Sequence, residues 1–180
     1  MASASAQHAD FTAGWKASIA LAFARRGDRT SLAEKRQHGP LVVQRSFHPE
    51  GDVCHLYLLH PPGGVAGGDD LNVKVAADPG SCALITTPGA AKFYRSIGPT
   101  SYQNPQFHIA GGSLEWLPQE NIFFPGARVQ MHTEINLADD ANYLGWEMHS
   151  LGRHSIGERF SHGSLVIRTT LRREGRPLLL

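Results

Sequence analysis

The chain has 180 residues, with 17 Lys and Arg against 16 Asp and Glu and a hydrophobic content of 41%. That balance leaves no charged field to hold a nucleic acid or a membrane surface, and no run approaches the ~20 apolar residues of a membrane helix. A chain of this length suits one domain burying roughly 70% of its unfolded surface, while 19 glycines and 11 prolines interrupt it too often for long helices.

Residues 1–14 are small and polar and are expected to form a flexible segment. They lack the basic start and continuous apolar core of an export signal, so the expected compartment is the cytoplasm. Residues 15–180 then read as a single β domain. In 17–24, Ile19, Leu21 and Phe23 alternate with small residues and predict a strand.

The stretch 54–96 organises the rest. Residues 54–59 form an apolar run of strand length, followed by two prolines, four glycines and the adjacent carboxylates Asp69 and Asp70. Leu71, Val73 and Val75 alternate with Asn72 and Lys74 as a second strand, and Asp78-Pro79-Gly80 is a turn. A third strand, 82–87, ends at Pro88-Gly89. The glycine loop is not a phosphate cradle, because it lacks the closing Lys-Ser/Thr pair and leads into a strand instead of a helix. On pattern alone Asp69 caps a turn, and a carboxylate held for a cation is the minority reading. Cys54 and Cys82 would pair only if their strands were neighbours; without an export signal, buried thiols are expected.

Beyond this stretch, Phe107 and Ile109, then Leu114, Trp116 and Leu117, flank Gly111-Gly112 and suggest a hairpin. Val129, Met131, Thr133, Ile135 and Leu137 form a half-buried strand, and Leu165, Ile167, Thr169 and Leu171 form another. Short helices are expected around 90–96 and around 143–150, the latter equally readable as a strand. Residues 172–176 read as a turn, and Pro177 opens a further strand. Periodicity alone therefore predicts mostly antiparallel β structure, as two packed sheets or an irregular barrel.

No catalytic constellation stands out. Ten histidines invite a metal, but His55 and His60 fall on opposite sides of a continuous strand, and His149, His154 and His162 have no spacing that fixes a tetrahedral site. There is no nucleophile elbow; Ser113 sits inside the expected hairpin. Glu115 and Glu120 carry an alternative reading, a small β-sheet carbohydrate hydrolase with Trp116 as a stacking face, which needs its carboxylates roughly 5–10 Å apart. Against it, Glu115 alternates with Leu114 and Trp116 as an outward strand residue does. The expected activity is binding without turnover.

Longer motifs point further. His60-Pro61-Pro62-Gly63-Gly64, Gly67-Gly68-Asp69, Thr86-Thr87-Pro88-Gly89-Ala90 and Lys92-Phe93-Tyr94-Arg95-Ser96 resemble the urease accessory protein UreD family, also called UreH. Gly39-Pro40-Leu41-Val42-Val43-Gln44-Arg45, Leu114-Glu115-Trp116-Leu117-Pro118-Gln119-Glu120, Leu151-Gly152-Arg153 and Ile156-Gly157-Glu158 extend the likeness in the right order over residues 15–180. The resemblance covers the N-terminal two thirds of the family, so the chain is expected to be truncated at its C-terminus. It implies a mostly β fold of two layered antiparallel or mixed sheets with β-helix-like winding and few short helices. It also implies a non-enzymatic maturation factor that binds apo-urease, UreF and UreG in the cytoplasm and assists nickel insertion, with no tightly bound cofactor and nickel in transit.

The family is thought to carry a water-filled internal passage. A conduit must attract Ni²⁺ yet release it, which favours scattered oxygen ligands over a thiolate or histidine cage. By their match to acidic family positions, Asp69 and Glu147 are the candidate passage residues. Ala91 precedes Lys92 where the family sometimes carries a hydroxyl, so that ligand is missing here.

Overall fold

The computed structural model describes residues 14–179, and the flexible segment expected at 1–14 lies almost wholly outside them. The chain opens with β1 (Lys16–Arg26), turns back through β2 (Arg29–His38) and the short β3 (Val42–Val43), and reaches β4 (Cys54–Leu59). Three similar circuits follow: β5 (Asp70–Ala77), β6 (Cys82–Thr86) and β7 (Ala91–Phe93); β8 (Ser101–Ile109), β9 (Ser113–Leu117) and β10 (Asn121–Phe123); β11 (Arg128–Leu137), β12 (Asn142–Gly145) and β13 (His149–Leu151). A 3-10 turn at His154–Ile156 leads to β14 (Ser164–Arg173) and β15 (Arg176–Leu179).

Strands of successive circuits stack into three sheets. The largest has seven strands in the order β15-β14-β11-β8-β5-β1-β2, the second five in the order β12-β9-β6-β4-β3, and a three-stranded sheet, β13-β10-β7, closes the side. The mostly β class, the mixed sheets and the winding agree with the expectation from resemblance. The antiparallel pairing expected from periodicity does not hold: among the described residues it is confined to β1–β2, β3–β4, β14–β15 and a single bridge between Phe47 and His55. Elsewhere the pairing is parallel, because each strand meets the one a full circuit later. The crossover that parallel strands require is supplied here by strands of the other two sheets.

The circuits hold together by stacking like on like. Leu21, Val75, Phe107, Ile135 and Leu171 form one inward row across β1, β5, β8, β11 and β14. Leu56, Ile85 and Trp116 form another in the second sheet, and Phe93 and Phe123 stack inward in the third, where Leu151, next in register, is exposed. The buried side chains of the rows belong to one continuous core, and each large one contributes about 1.5–3 kcal/mol by leaving water. Trp116 is in that core, 5.1 Å from the Phe107 ring, so it offers no stacking face to a sugar.

Several local expectations yield to this winding. Gly111-Gly112 is not a hairpin but a corner between two sheets, where the Ser113 N–H donates to the Ser81 carbonyl of the previous circuit at 2.7 Å. The short helix expected around 90–96 is β7, and 143–150 holds parts of β12 and β13, since the aromatic row stacks only on extended backbone. Cys54 and Cys82 do lie on adjacent strands, but Cys54 is in register with Ala83. The two thiols therefore point to opposite faces, and both are free.

Candidate functional site

The glycine loop and the Lys92-Phe93-Tyr94-Arg95-Ser96 motif are one structure. The Val65 N–H donates to the Lys92 carbonyl at 2.7 Å, and the Tyr94 N–H donates back to the Val65 carbonyl at 2.9 Å. A Cβ on Gly64 would overlap the Tyr94 ring, and one on Gly67 would overlap the Ser96 side chain. These glycines are therefore used for close approach of one segment to the next, with no phosphate role.

Asp69 ends this loop and is only 7% exposed. One carboxylate oxygen accepts the Trp15 N–H and the other the Ala66 N–H, both at 2.8 Å. The geometry is that of a turn cap, extended to fix the entry of β1. Asp69 also acts on His60. Burial pulls the His60 imidazole below its ordinary range, and the charge of Asp69 opposes that pull. The His60 Nε2 is buried without a hydrogen-bond partner among the described residues.

His60 lines a partly open cavity of about 250 Å³ between the sheets. Leu58, Val73 and Trp116 give it apolar walls, while Thr87, Gln103, Asn121 and Glu147 add polar groups. Glu147 also lines a second, outer cleft of about 530 Å³ beside Tyr143, Trp146, His149, Ile167 and Leu179. It lines both spaces, its side chain 16% exposed.

Glu147 is held from β11 and faced from β13. The Thr133 hydroxyl donates to Oε1, and His149 Nε2 lies 3.7 Å from Oε2. Burial pushes His149 below the ordinary histidine range, with Glu147 opposing, so the ring is neutral at neutral pH. Burial first, and then the Glu147 charge, push the Tyr143 phenol up, so it keeps its proton. A carboxylate beside a neutral imidazole and a hydroxyl can hold a cation weakly. Among the described residues no group of three or more His, Cys, Asp and Glu is assembled for a metal.

The two candidate passage residues are thus not equivalent: Glu147 lines the cavity, whereas Asp69 does not and is engaged as a loop cap. Glu115 lies on the outer face of the five-stranded sheet, in register between Leu84 and Leu144. Glu120 precedes β10, and neither carboxylate lines the cavity or the cleft. Thr133, Tyr143 and His149 were not legible as site residues. The one local signal was the spacing of Glu147 and His149, two apart and able to face the same way; Thr133 belongs to a strand 14 residues away.

No helix among the described residues is long and apolar enough to cross a membrane. Comparison with known proteins matches residues 16–180 to the family model described as UreD urease accessory protein. A urease accessory protein UreD of Enterobacter sp. (strain 638) is 50% identical over 170 residues, covering 94% of this chain and 62% of that protein. The one from Pseudomonas putida (strain GB-1) is 53% identical over 154 residues, 85% of this chain and 56% of the relative. That from Alcanivorax borkumensis is 50% identical over 172 residues, 93% and 58%. The chain spans about three fifths of the length of these relatives. With a matching family model over nearly all of its length and relatives at half identity, the chain belongs to the UreD urease accessory protein family.

Proposed function

We propose that the protein is a urease maturation factor without turnover of its own, which binds apo-urease together with UreF and UreG in the cytoplasm and passes Ni²⁺ toward the urease active site. The observation that carries the reading is the placement of Glu147, which lines both the cavity beside His60 and the outer cleft. A carboxylate whose second oxygen meets no hydrogen-bond donor among the described residues attracts a divalent cation, and one carboxylate alone does not trap it. His60 and the amides of Gln103 and Asn121 supply further neutral donors along the cavity. Nickel is cargo here, and Asp69 serves the passage by fixing the loop that follows His60 and by its charge on His60.

The test is nickel per active site in urease matured with Glu147→Gln, alongside a pull-down with UreF and apo-urease. The complex should still assemble, while nickel content and urease activity fall together. Normal metal loading with Glu147→Gln would overturn the passage, and failure to bind apo-urease or UreF would overturn the maturation role.

A further inference from the structure

We infer that Glu147 and His149 together form a two-donor site for a divalent transition-metal ion, and that the imidazole makes this point of the path prefer Ni²⁺ to Mg²⁺. The inference takes its biological setting from the passage reading, but its chemistry belongs to the two side chains. Their facing atoms, Oε2 and Nε2, are 3.7 Å apart. Two cis ligands held ~2.1 Å from an octahedral ion stand about 3.0 Å apart, so closing on a metal requires the two side chains to approach by less than about an ångström. The Thr133 hydroxyl occupies Oε1, which determines the oxygen left to face the imidazole. On the other side, the Phe123 ring packs against His149 with centroids 5.7 Å apart and holds the ring in place. The pair sits on the rim of the cleft, with 16% and 23% of the two side chains exposed, so an ion reaches it without unfolding.

Selectivity follows from the donor types. Mg²⁺ keeps its water and takes oxygen ligands, whereas imidazole suits Ni²⁺ and its first-row neighbours. A carboxylate alone attracts either ion; a carboxylate with an imidazole favours the transition metal. Because no third ligand of the usual types joins them among the described residues, most of the ion's shell stays water. Closed structural sites use four protein ligands, and two leave the ion free to move on.

The experiment is a titration of the protein, labelled with ¹⁵N-histidine and ¹³C-methyl threonine, with Ni²⁺ alone and then with Ni²⁺ in a large excess of Mg²⁺. Paramagnetic Ni²⁺ should broaden the His149 ring signals, identified by their loss in His149→Asn, and the Thr133 methyl at the lowest additions. Excess Mg²⁺ should leave this unchanged. Removing even an outer partner of a metal ligand costs 10–100-fold in affinity, so Glu147→Gln should raise the Ni²⁺ needed at His149 by at least about tenfold. Unchanged signals from the buried methyl of Thr170 verify that each variant is folded. A His149 signal that responds no earlier than the exposed histidines, or equally in Glu147→Gln, or that Mg²⁺ restores, overturns the inference. The passage reading fails separately: normal nickel loading of urease by Glu147→Gln, with early Ni²⁺ binding at His149 in the unsubstituted protein and its weakening in the variant, removes the passage and leaves the two-donor site standing.

Discussion

The carboxylate of Asp69 accepts the N–H of Trp15 at 2.8 Å, joining the entry of β1 to a loop 54 residues further on. Its other oxygen accepts the Ala66 N–H, so neither oxygen is idle. Asp69→Asn keeps one acceptor and turns an amide donor toward the second N–H. Leaving a buried donor unsatisfied costs about 1–3 kcal/mol. Urea unfolding should show a loss of that order, with any defect in urease activation following the loss of folded protein. A fully stable Asp69→Asn protein that fails to deliver nickel would instead assign the carboxylate a direct role in transit.

Gly67 meets the Ser96 side chain and, at 2.9 Å from an added Cβ, the Pro99 carbonyl. Gly67→Ala should therefore lower stability by about 1–3 kcal/mol, the usual range for overpacking. Ser96→Ala in the same chain should not restore it fully, because the Pro99 carbonyl is backbone. Thermal melts of the single and double variants read this directly; a melting temperature equal to that of the parent would contradict the close packing of the two motifs.

Stability should fall as the solution is acidified below the ordinary histidine value of 6.5, with His60 and His149 contributing. Both are lowered by burial in the folded state, so the unfolded chain takes up protons first. Stability is then lost as pH drops through 6.5 and levels off beneath the lowered folded values. Each histidine contributes a slope of no more than about 1.4 kcal/mol per pH unit. Replacing His60 by Gln should flatten part of that slope, as measured by denaturant unfolding between about pH 7 and pH 5. An identical slope in the variant would exclude His60 as a contributor.

On β15, Leu178 and Leu179 are 58% and 53% exposed, and the strand is the outermost of the seven-stranded sheet. An apolar edge strand is a template for pairing with a second chain. The 180-residue chain should therefore associate at micromolar concentration in the absence of partners, and Leu178→Lys should shift it toward monomer. Light scattering that finds a monodisperse monomer in the unsubstituted chain would remove this edge as an association site.

The amino-acid sequence by itself determined which side chains turn inward. The alternation of Ile19, Leu21 and Phe23, and of Val129 through Leu137, marks the buried faces of β1 and β11. It does so because period two is a property of extended backbone whatever the strand pairs with. Pairing itself was not legible from periodicity, since a parallel partner one circuit away leaves the same alternation as an antiparallel neighbour. Glycine pairs mark a change of direction, and at Gly111-Gly112 only the packed circuits decide that the chain turns a corner instead of folding back. The same division holds in the site. The loop carrying Asp69 was visible as a turn with a capping carboxylate, because a turn is local. That Glu147 meets both Thr133 and His149 while lining two spaces was decided by the tertiary structure, since β11 and β13 belong to different sheets and converge there only once the circuit closes.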